Sequence, residues 1–198
     1  MNKFYLLKCE SFLRPHLHAT SNLIPVSLKK KNPVRTLIAL AFAVIGLTAQ
    51  AQGPQEPPYK RFPNIPPFEL LQLDSATTLT KNDLQKNQPV LIMVFSPDCD
   101  HCQHQMEELL IDIESLKDVQ IVLATPEPFD KMKAFNERYN LSKYPNIRIG
   151  RDTKYVLPPF YRMRNLPFLA LYNKKGNLIT AYDGNAKTAD LVKAFEKK

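Results

Sequence analysis

The feature that most constrains this sequence is an apolar run of strand length, PVLIMVF, at residues 89–95. Polar and apolar residues do not alternate in it, which is typical of a central strand covered on both faces. A second apolar run, VQIVLA, follows at 119–124, and a helix is predicted over the intervening residues 99–116. This alternation of strand and helix predicts a three-layer α/β domain.

Shorter segments complete the predicted order, which is β, β-α-β-α and then β-β-α. An amphipathic helix is predicted at 129–140, and a closing helix at 188–198 with Thr188 as its N-cap. Thr80 is predicted to cap a single helical turn, and NKKGN reads as the turn of a C-terminal hairpin. The remaining predicted strands are 68–75, 146–150, 166–172 and 178–184.

Residues 1–51 have the pattern of an N-terminal extension followed by a secretory signal peptide. The basic cluster KKKNPVR precedes the apolar run TLIALAFAVIGL, and Ala49-Gln50-Ala51 fits the small-x-small cleavage pattern. The apolar run is short for a membrane span of ~20 residues. We therefore predict cleavage after Ala51 and export, to the periplasm of a Gram-negative bacterium; only an uncleaved segment would hold the chain in a membrane.

Residues 52–67 are predicted to be a proline-rich linker, and the folded domain is predicted to span 68–198. The six prolines of 53–67 favour an extended tether or wrapping arm without a helix or central strand. The net charge of +8 does not indicate nucleic-acid binding, since residues 1–51 hold seven of the 27 Lys and Arg residues and one of the 19 acids. The rest carries only +2, without a basic stripe, so nucleic acid is not an expected partner.

The segment SPDCDHC holds the first candidate for chemistry, a metal site. Cys99, His101, Cys102 and His104 are the only cysteines and histidines after residue 51. On a helix, Cys99 and Cys102 lie about 60° apart on one face, and the two histidines lie on the far side. One helix cannot close four such ligands around a tetrahedral ion. We therefore expect no metal, and no bound cofactor.

The cysteine pair fits thiol–disulfide exchange better. A bridge across two residues closes a very small loop and adds little stability, so a purely structural disulfide is not favoured. The strand ending at Phe95 delivers Cys99 to a helix N-terminus, where unpaired N–H groups favour a thiolate. Cys102 shares a helical face with Met106 and Leu109 and should point toward the core. Cys99 is therefore expected to attack, and Cys102 to resolve the mixed disulfide through a redox-active Cys99–Cys102 pair.

With these features in order, the chain resembles the thioredoxin superfamily, and within it the exported reductases of the TlpA/ResA type. The similarity covers about residues 68–198, in which Tyr144-Pro145 opens the extra segment of this subgroup and RNLP precedes a later strand. The resemblance implies a thioredoxin-like three-layer α/β sandwich, with a central mixed sheet and helices on both faces. It also implies a catalytic cis-proline at Pro167, with Leu166 offering its backbone to a substrate peptide.

Three residues near the cysteine pair depart from that family's pattern. Asp98 stands where tryptophan is usual, Met93 where thioredoxins have a buried aspartate, and Gln105 where TlpA/ResA-type proteins tend to have glutamate. The resemblance therefore leaves the proton acceptor of the second cysteine unassigned. Glu107 and His104 are candidates, although a solvated helix face is the favoured interpretation of both.

Charged neighbours are expected to tune the redox pair in opposite directions. A protonated His101 would favour a nearby thiolate, whereas Asp98 and Asp100 would disfavour it. One unit of thiolate pKa corresponds to about 1.4 kcal/mol, or about 30 mV for a two-electron couple. One neighbour can shift the potential but cannot set it, so the sequence leaves the direction of electron flow open.

The favoured function is an exported thiol–disulfide oxidoreductase, more a reductase than an oxidant, with protein disulfides or thiols as substrates and an upstream redox partner. A second interpretation is a peroxiredoxin-like peroxidase, because FSPDC resembles the segment before that family's peroxidatic cysteine. Ser96 then lies three residues before Cys99, and Ile92 replaces the family's proline. A third is a non-catalytic thioredoxin-fold binding module, which the proline-rich segment would suit.

Overall fold

The computed structural model of the chain describes residues 32–34 and 56–197. The predicted signal peptide and its cleavage site therefore lie outside the described residues, apart from 32–34. The chain divides into two units, 1–53 and 54–198, and the second contains the fold presented below. Within the described ranges, no helix is both long and apolar enough to cross a membrane.

The strands of the described residues form one mixed sheet. Their bounds are β1 Glu69–Leu71, β2 Thr78–Thr80, β3 Val90–Val94, β4 Gln120–Thr125, β5 Ile147–Arg151, β6 Phe168–Tyr172 and β7 Leu178–Asp183. They are arranged in the order β2-β1-β5-β4-β3-β6-β7. The β3–β4 and β4–β5 pairs are parallel, and the other pairs are antiparallel. The predicted mixed sheet is confirmed.

Helices cover both faces of this sheet. Their bounds are α1 Pro58–Arg61, α2 Asp100–Ile111, α3 Phe129–Tyr139, α4 Leu157–Tyr161 and α5 Thr188–Glu196. Short 3-10 helices lie at Lys81–Asp83, Ile113–Leu116 and Leu141–Lys143. The single helix predicted over 99–116 is therefore two elements, because the α-helical part ends at Ile111.

Strand β3 shows why residues 89–95 are apolar throughout. Leu91 and Met93 belong to the core beneath α2, α3 and α5, whereas Ile92 and Val94 belong to the core beneath α4. Successive side chains of a strand point to opposite faces, so a strand covered on both faces needs apolar residues at every position. All five residues of β3 are buried, which confirms the predicted central strand and the three-layer arrangement.

The strand predicted at 68–75 is shorter than expected, because the chain turns back into β2, which the sequence did not predict. The carboxylate of Asp74 makes this turn by accepting hydrogen bonds from the backbone N–H groups of Ala76 at 3.0 Å and Thr77 at 2.8 Å. These bonds lower the pKa of Asp74. A short acidic side chain that bonds the backbone two residues later favours a turn over a longer strand.

The two capping predictions have opposite outcomes. Thr80 caps the short helix that follows it, and Asp83 completes a capping box. Thr188 is not the N-cap of α5, because Lys187 holds that position without a side-chain cap. The Thr188 hydroxyl instead donates to the Glu108 carbonyl oxygen of α2 at 3.0 Å. The prediction was wrong because this hydroxyl donates to a tertiary partner, whereas an N-cap hydroxyl accepts from a backbone N–H of its own helix.

The proline-rich segment packs against the fold, and it contains a helical turn where the sequence predicted none. Helix α1 at Pro58–Arg61 has proline in its first turn, where the missing N–H would be unpaired in any case. The ring of Tyr59 lies 5.9 Å from that of Tyr161 and 5.7 Å from that of Phe168. Asn64 then forms a β-bridge beside β7. The packed region therefore begins upstream of the predicted domain start.

Candidate active site

Cys99 caps helix α2. Its Sγ accepts a hydrogen bond from the backbone N–H of Cys102 at 3.4 Å, and its carbonyl oxygen accepts from the N–H groups of Cys102 and Gln103 at 2.9 and 3.0 Å. The sulfur thus lies at the positive end of the helix dipole, among N–H groups that have no partner within the helix. Cys99 is therefore the cysteine held at the start of the helix.

Cys102 lies one turn further along α2, in a different environment. Its side chain is fully buried, as are those of Met106 and Leu109 on the same helical face. Burial raises the pKa of the Cys102 thiol, and a hydrogen bond with Cys99 raises it further. A hydrogen bond from the Ser96 backbone acts in the opposite direction. Both thiols are free, and the inward position predicted for Cys102 is confirmed.

A groove of about 800 Å³ opens beside Cys99. The start of α2, the β4–α3 loop, the segment between α4 and β6, and the β7–α5 loop form its walls. Residues from these walls include Cys99, His101, Glu127, Met163, Leu166 and Asn185. Of the predicted tuning and contact residues, His101 and Leu166 line the groove. Asp98 and Asp100 are exposed and are not among its lining residues.

The turn before β6 faces the thiol of Cys99. The Leu166–Pro167 peptide bond is cis. The Cys99 Sγ lies 3.9 Å from the carbonyl oxygen of Leu166, within the range of a weak S–H hydrogen bond. Backbone polar groups of this turn are therefore available beside the reactive sulfur.

Asp98 is paired with a lysine of α3. The Lys131 Nζ lies 2.6 Å from the Asp98 Oδ2 and 3.8 Å from the Glu127 Oε2. The hydrogen bond with Asp98 raises the pKa of Lys131. Asp100, in the first turn of α2, is exposed to solvent. The two carboxylates expected to oppose a Cys99 thiolate are thus compensated, one by a cation and the other by solvent and the helix N-terminus.

Gln105 is a structural clamp in this chain. It is fully buried, its Nε2 donates to the Ala186 carbonyl oxygen at 3.0 Å, and its Oε1 accepts from the Ala186 N–H at 2.7 Å. The neighbouring Asn185 donates to the His101 carbonyl oxygen at 2.7 Å. These bonds fasten the β7–α5 loop, one wall of the groove, to α2.

The two side chains that the sequence offered as proton acceptors lie on the solvated face of α2. His104 and Glu107 are both exposed, and the Glu107 carboxylate accepts from the Tyr139 hydroxyl at 3.4 Å. Cys102 points to the opposite, buried side. Neither side chain is brought to the second thiol.

Glu127 is among the carboxylates of the groove that sequence reasoning missed. The Ser96 hydroxyl donates to its Oε1 at 3.5 Å, and Lys131 lies near its other oxygen. Ser96 comes shortly after β3, and Glu127 comes shortly after β4. Because the carboxyl ends of parallel neighbours meet at one edge of a sheet, the two predicted strands were the signal that could have placed these residues at the same edge. Across the described ranges, no group of three or more His, Cys, Asp or Glu residues is arranged to hold a metal ion.

Solved structures share this fold. A secreted disulfide oxidoreductase of Mycobacterium tuberculosis, homologous to E. coli DsbE, is 18% identical with a TM-score of 0.55, covering 66% of this chain and 96% of its own. A thiol:disulfide interchange protein of the thioredoxin family from Chlorobium tepidum is 14% identical with a TM-score of 0.57, and the match covers 73% of this chain and 98% of its own. StoA from Bacillus subtilis is 16% identical with a TM-score of 0.51, and the match covers 67% of this chain and 98% of its own. At these identities the likeness establishes the thioredoxin-like fold.

Comparison of the sequence with models of protein families identifies the family of this chain. The model of the AhpC/TSA family matches residues 63–194, which include the whole sheet, both cysteines and the groove. Comparison with curated proteins gives no match.

Proposed function

Because the chain belongs to the AhpC/TSA family, we propose that it is a thiol–disulfide oxidoreductase that exchanges electrons with protein disulfides through Cys99 and Cys102. The observation that carries this proposal is the asymmetry of the two thiols. Cys99 caps α2 and opens on the groove, whereas Cys102, three residues later, is fully buried. An accessible attacking thiol next to a protected resolving thiol is what disulfide exchange requires.

The exchange proceeds in two steps. The Cys99 thiolate attacks one sulfur of a substrate disulfide, which forms a mixed disulfide and releases the other substrate sulfur as a thiol after it takes up a proton. Cys102 then loses its proton and attacks the Cys99 sulfur, which releases the second substrate thiol. Two electrons pass to the substrate, and the enzyme is left with a Cys99–Cys102 disulfide.

The groove supports a polypeptide substrate. It is open, it has a volume of about 800 Å³, and the Leu166 carbonyl oxygen lies 3.9 Å from the Cys99 sulfur. An extended chain can hydrogen-bond to such backbone groups whatever its side chains are. The same wall offers apolar side chains, including Met163, to the residues beside the disulfide.

Reduction of exported proteins is the direction and setting that we propose. The signal-like pattern of residues 1–51 supports export, and the secreted mycobacterial oxidoreductase shares the fold. An upstream reductant would then return the Cys99–Cys102 disulfide to thiols. The reduction potential of the pair tests the direction: we expect a value near −270 mV, that of thioredoxin, and one near −120 mV, that of DsbA, would make the protein an oxidant.

Insulin reduction tests the proposed activity. Wild-type protein with dithiothreitol should accelerate precipitation of the insulin B chain, and Cys99→Ser should give the rate of dithiothreitol alone. Cys102→Ser should accumulate mixed disulfides visible on a non-reducing gel. A wild-type protein that reduces no protein disulfide would contradict the proposal and favour a non-catalytic binding module.

A peroxidase is the second candidate, because the family match allows it and Ser96 lies near Cys99. The Ser96 hydroxyl donates its hydrogen bond to Glu127, however, so the same hydroxyl proton is not available to bind a peroxide. We expect hydroperoxides to oxidise Cys99 no faster than about tenfold above a free thiolate of the same ionisation. Turnover thousands of times faster would establish the peroxidase instead.

A further inference from the structure

One aromatic side chain of the groove beside Cys99, that of Tyr155, has no part in the exchange described above. We propose that Tyr155 binds a large apolar side chain next to the substrate cysteine, so that the protein selects polypeptide disulfides whose cysteine has an apolar neighbour. This inference deepens the proposed function and rests on it, because it names the class of substrate that the same groove takes.

The backbone of Tyr155 has an unusual conformation. The residue lies between β5 and α4 with a φ of 52°, which is in the left-handed region. A bulky residue is rare in this region, which glycine and asparagine adopt far more readily. Residues held in such conformations cluster at binding and catalytic sites. The turn itself therefore does not explain why a tyrosine stands at this position.

The turn that carries Tyr155 is fastened to the fold by Asp152, which is 2% exposed. Its Oδ1 accepts a hydrogen bond from the Val156 N–H at 3.0 Å, and its Oδ2 accepts one from the Leu157 N–H at 2.8 Å. The Asp152 N–H donates to the carbonyl oxygen of Thr125, the last residue of β4, at 2.8 Å, and the Asp152 carbonyl oxygen accepts from the Tyr155 N–H at 3.2 Å. The tyrosine is thus a fixed part of the groove wall.

The ring of Tyr155 is open to a ligand. It is 59% exposed, and within residues 56–197 its side chain has no hydrogen bond, ion pair or aromatic ring contact. An aromatic ring gains from the burial of its apolar faces and from contact with a second ring. A substrate side chain that covers this ring would therefore be bound more tightly if it is large and apolar.

Further apolar side chains line the same groove. They include Met163, which is half-buried, and Leu166, whose carbonyl oxygen lies 3.9 Å from the Cys99 sulfur. A volume of about 800 Å³ falls within the usual range of ligand pockets. A polypeptide that presents its disulfide to Cys99 therefore has room to place a neighbouring side chain against Tyr155.

The charged side chains at the groove are paired within the protein. The Arg164 Nε lies 3.7 Å from the Asp183 Oδ2, and the Asp183 Oδ1 accepts from the Asn165 N–H at 2.9 Å. The Lys131 Nζ lies 3.8 Å from the Glu127 Oε2. Because each of these charges already has a partner of opposite sign, the groove offers little attraction to a charged neighbour of the substrate cysteine.

Peptides that differ at one position test the selection. The probe is a short glycine- and serine-based peptide whose single cysteine is joined in a disulfide to 5-thio-2-nitrobenzoate. Its residue next to the cysteine, before or after it, is phenylalanine, alanine, glutamate or lysine. Attack by the Cys99 thiolate on the peptide sulfur forms a Cys99–peptide disulfide and releases the coloured thiolate, so stopped-flow absorbance gives the rate of peptide capture. Wild-type protein should capture the phenylalanine peptide about tenfold faster than the alanine peptide.

Three variants assign the preference. Tyr155→Asn removes the ring and keeps a residue that tolerates the left-handed conformation, so the ratio of the two rates should fall below about threefold. Tyr155→Phe keeps the ring and should retain the wild-type ratio. Phe62→Ala is the matched control, because Phe62 is also 59% exposed but lies in the proline-rich segment and does not line the groove. It should leave both rates within about twofold of wild type.

Several outcomes would overturn the inference. One is a wild-type protein that captures the phenylalanine and alanine peptides equally fast, and another is faster capture of the glutamate or lysine peptide, which would assign the groove to charged neighbours. An equal loss with all peptides in Tyr155→Asn would give the tyrosine a structural role only. A wild-type protein that captures none of the peptides would contradict the proposed function, and this inference with it.

Discussion

Cys99 and Cys102 are separated by one helical turn, yet their side chains lie in different environments. Cys99 is half-buried at a groove, where the Cys102 backbone N–H and the Leu166 carbonyl oxygen contact its sulfur. Cys102 contacts the apolar core, and burial raises the pKa of its thiol. The difference shows that the spacing of two cysteines places them on one helix face, while the layers packed around the helix decide which one reacts. Variants that change one side of this contrast test it.

The largest effect should come from the core that protects Cys102. Met106→Ala removes a fully buried side chain one turn after that cysteine and should lower the free energy of unfolding by about 2–5 kcal/mol. Ile111→Ala, on the same helix but 84% exposed, should change it by less than about 0.5 kcal/mol. Urea denaturation of both variants makes the measurement. Equal losses would show that α2 does not bury the face on which Cys102 lies.

Selective alkylation measures the contrast directly. In the reduced native protein, iodoacetamide should modify Cys99 at least about 100-fold faster than Cys102, because a buried thiol reacts only when the structure opens. Mass spectrometry of peptides sampled over time gives both rates, and denaturant should make them similar. Comparable rates in the native protein would remove the basis for assigning Cys99 as the attacking thiol.

An additional loss of stability at alkaline pH should appear in the reduced protein and not in the oxidised one. The folded chain holds the Cys102 proton above its ordinary pKa of 9.0, whereas the unfolded thiol ionises near that value. The stability from this group is therefore complete below pH 9 and is lost as the pH rises, by at most about 1.4 kcal/mol per pH unit. Urea denaturation at pH 8 and 10 tests the difference.

The choice of variants isolates Cys102 in that experiment. Burial also raises the pKa of Tyr161 and raises that of Tyr172 to about 12, but these groups titrate in both redox forms and cancel in the comparison. Reduced Cys99→Ala should keep the extra loss of stability above pH 9, and reduced Cys102→Ala should lack it. The same loss in the latter variant would assign the effect to another group.

The smallest predicted effect concerns the ion pair at Cys99. Lys131→Met leaves Asp98 without its cation, so the thiolate of Cys99 is less favoured and alkylation at pH 7 should slow about two- to fivefold. The effect should fade at 1 M salt, since both partners are exposed. Lys133→Met, two residues later on α3, should not slow alkylation. An unchanged rate in Lys131→Met at low salt would show that this pair does not influence the thiol.

The parts of this structure that the sequence predicted are those recorded in local patterns. The continuous apolar run of β3 and the spacing of Cys102, Met106 and Leu109 on α2 both reflect burial, which acts on each residue where it stands. The three-layer α/β arrangement followed from the order of such segments, whereas the mixed sheet followed from the resemblance to the thioredoxin superfamily. Strand β2 was missed because three residues with a single buried position carry almost no periodic signal.

The parts that the sequence did not predict depend on partners far along the chain. Thr188 bonds α2 across 80 residues, Gln105 bonds Ala186 across 81, and the Ser96–Glu127 contact spans 31. A polar side chain can satisfy its hydrogen bonds in many ways, and the folded topology selects among them. Gln105 illustrates the point: it stands where related proteins tend to have a glutamate, and its side chain hydrogen-bonds the β7–α5 loop at Ala186.

The proline-rich segment, an arm that packs beside β7, has a consequence for the solubility of the fold. Strand β7 is the outermost strand beside β6, and outer strands offer unpaired backbone groups to other chains. Here Leu178 donates to the Pro63 carbonyl oxygen at 2.6 Å, and Ile65 donates to that of Gly176 at 3.1 Å. Prolines in the arm cannot extend this pairing outward. A protein shortened to residue 68 would expose that end of β7 and should aggregate by intermolecular strand pairing at concentrations where the longer chain stays monomeric.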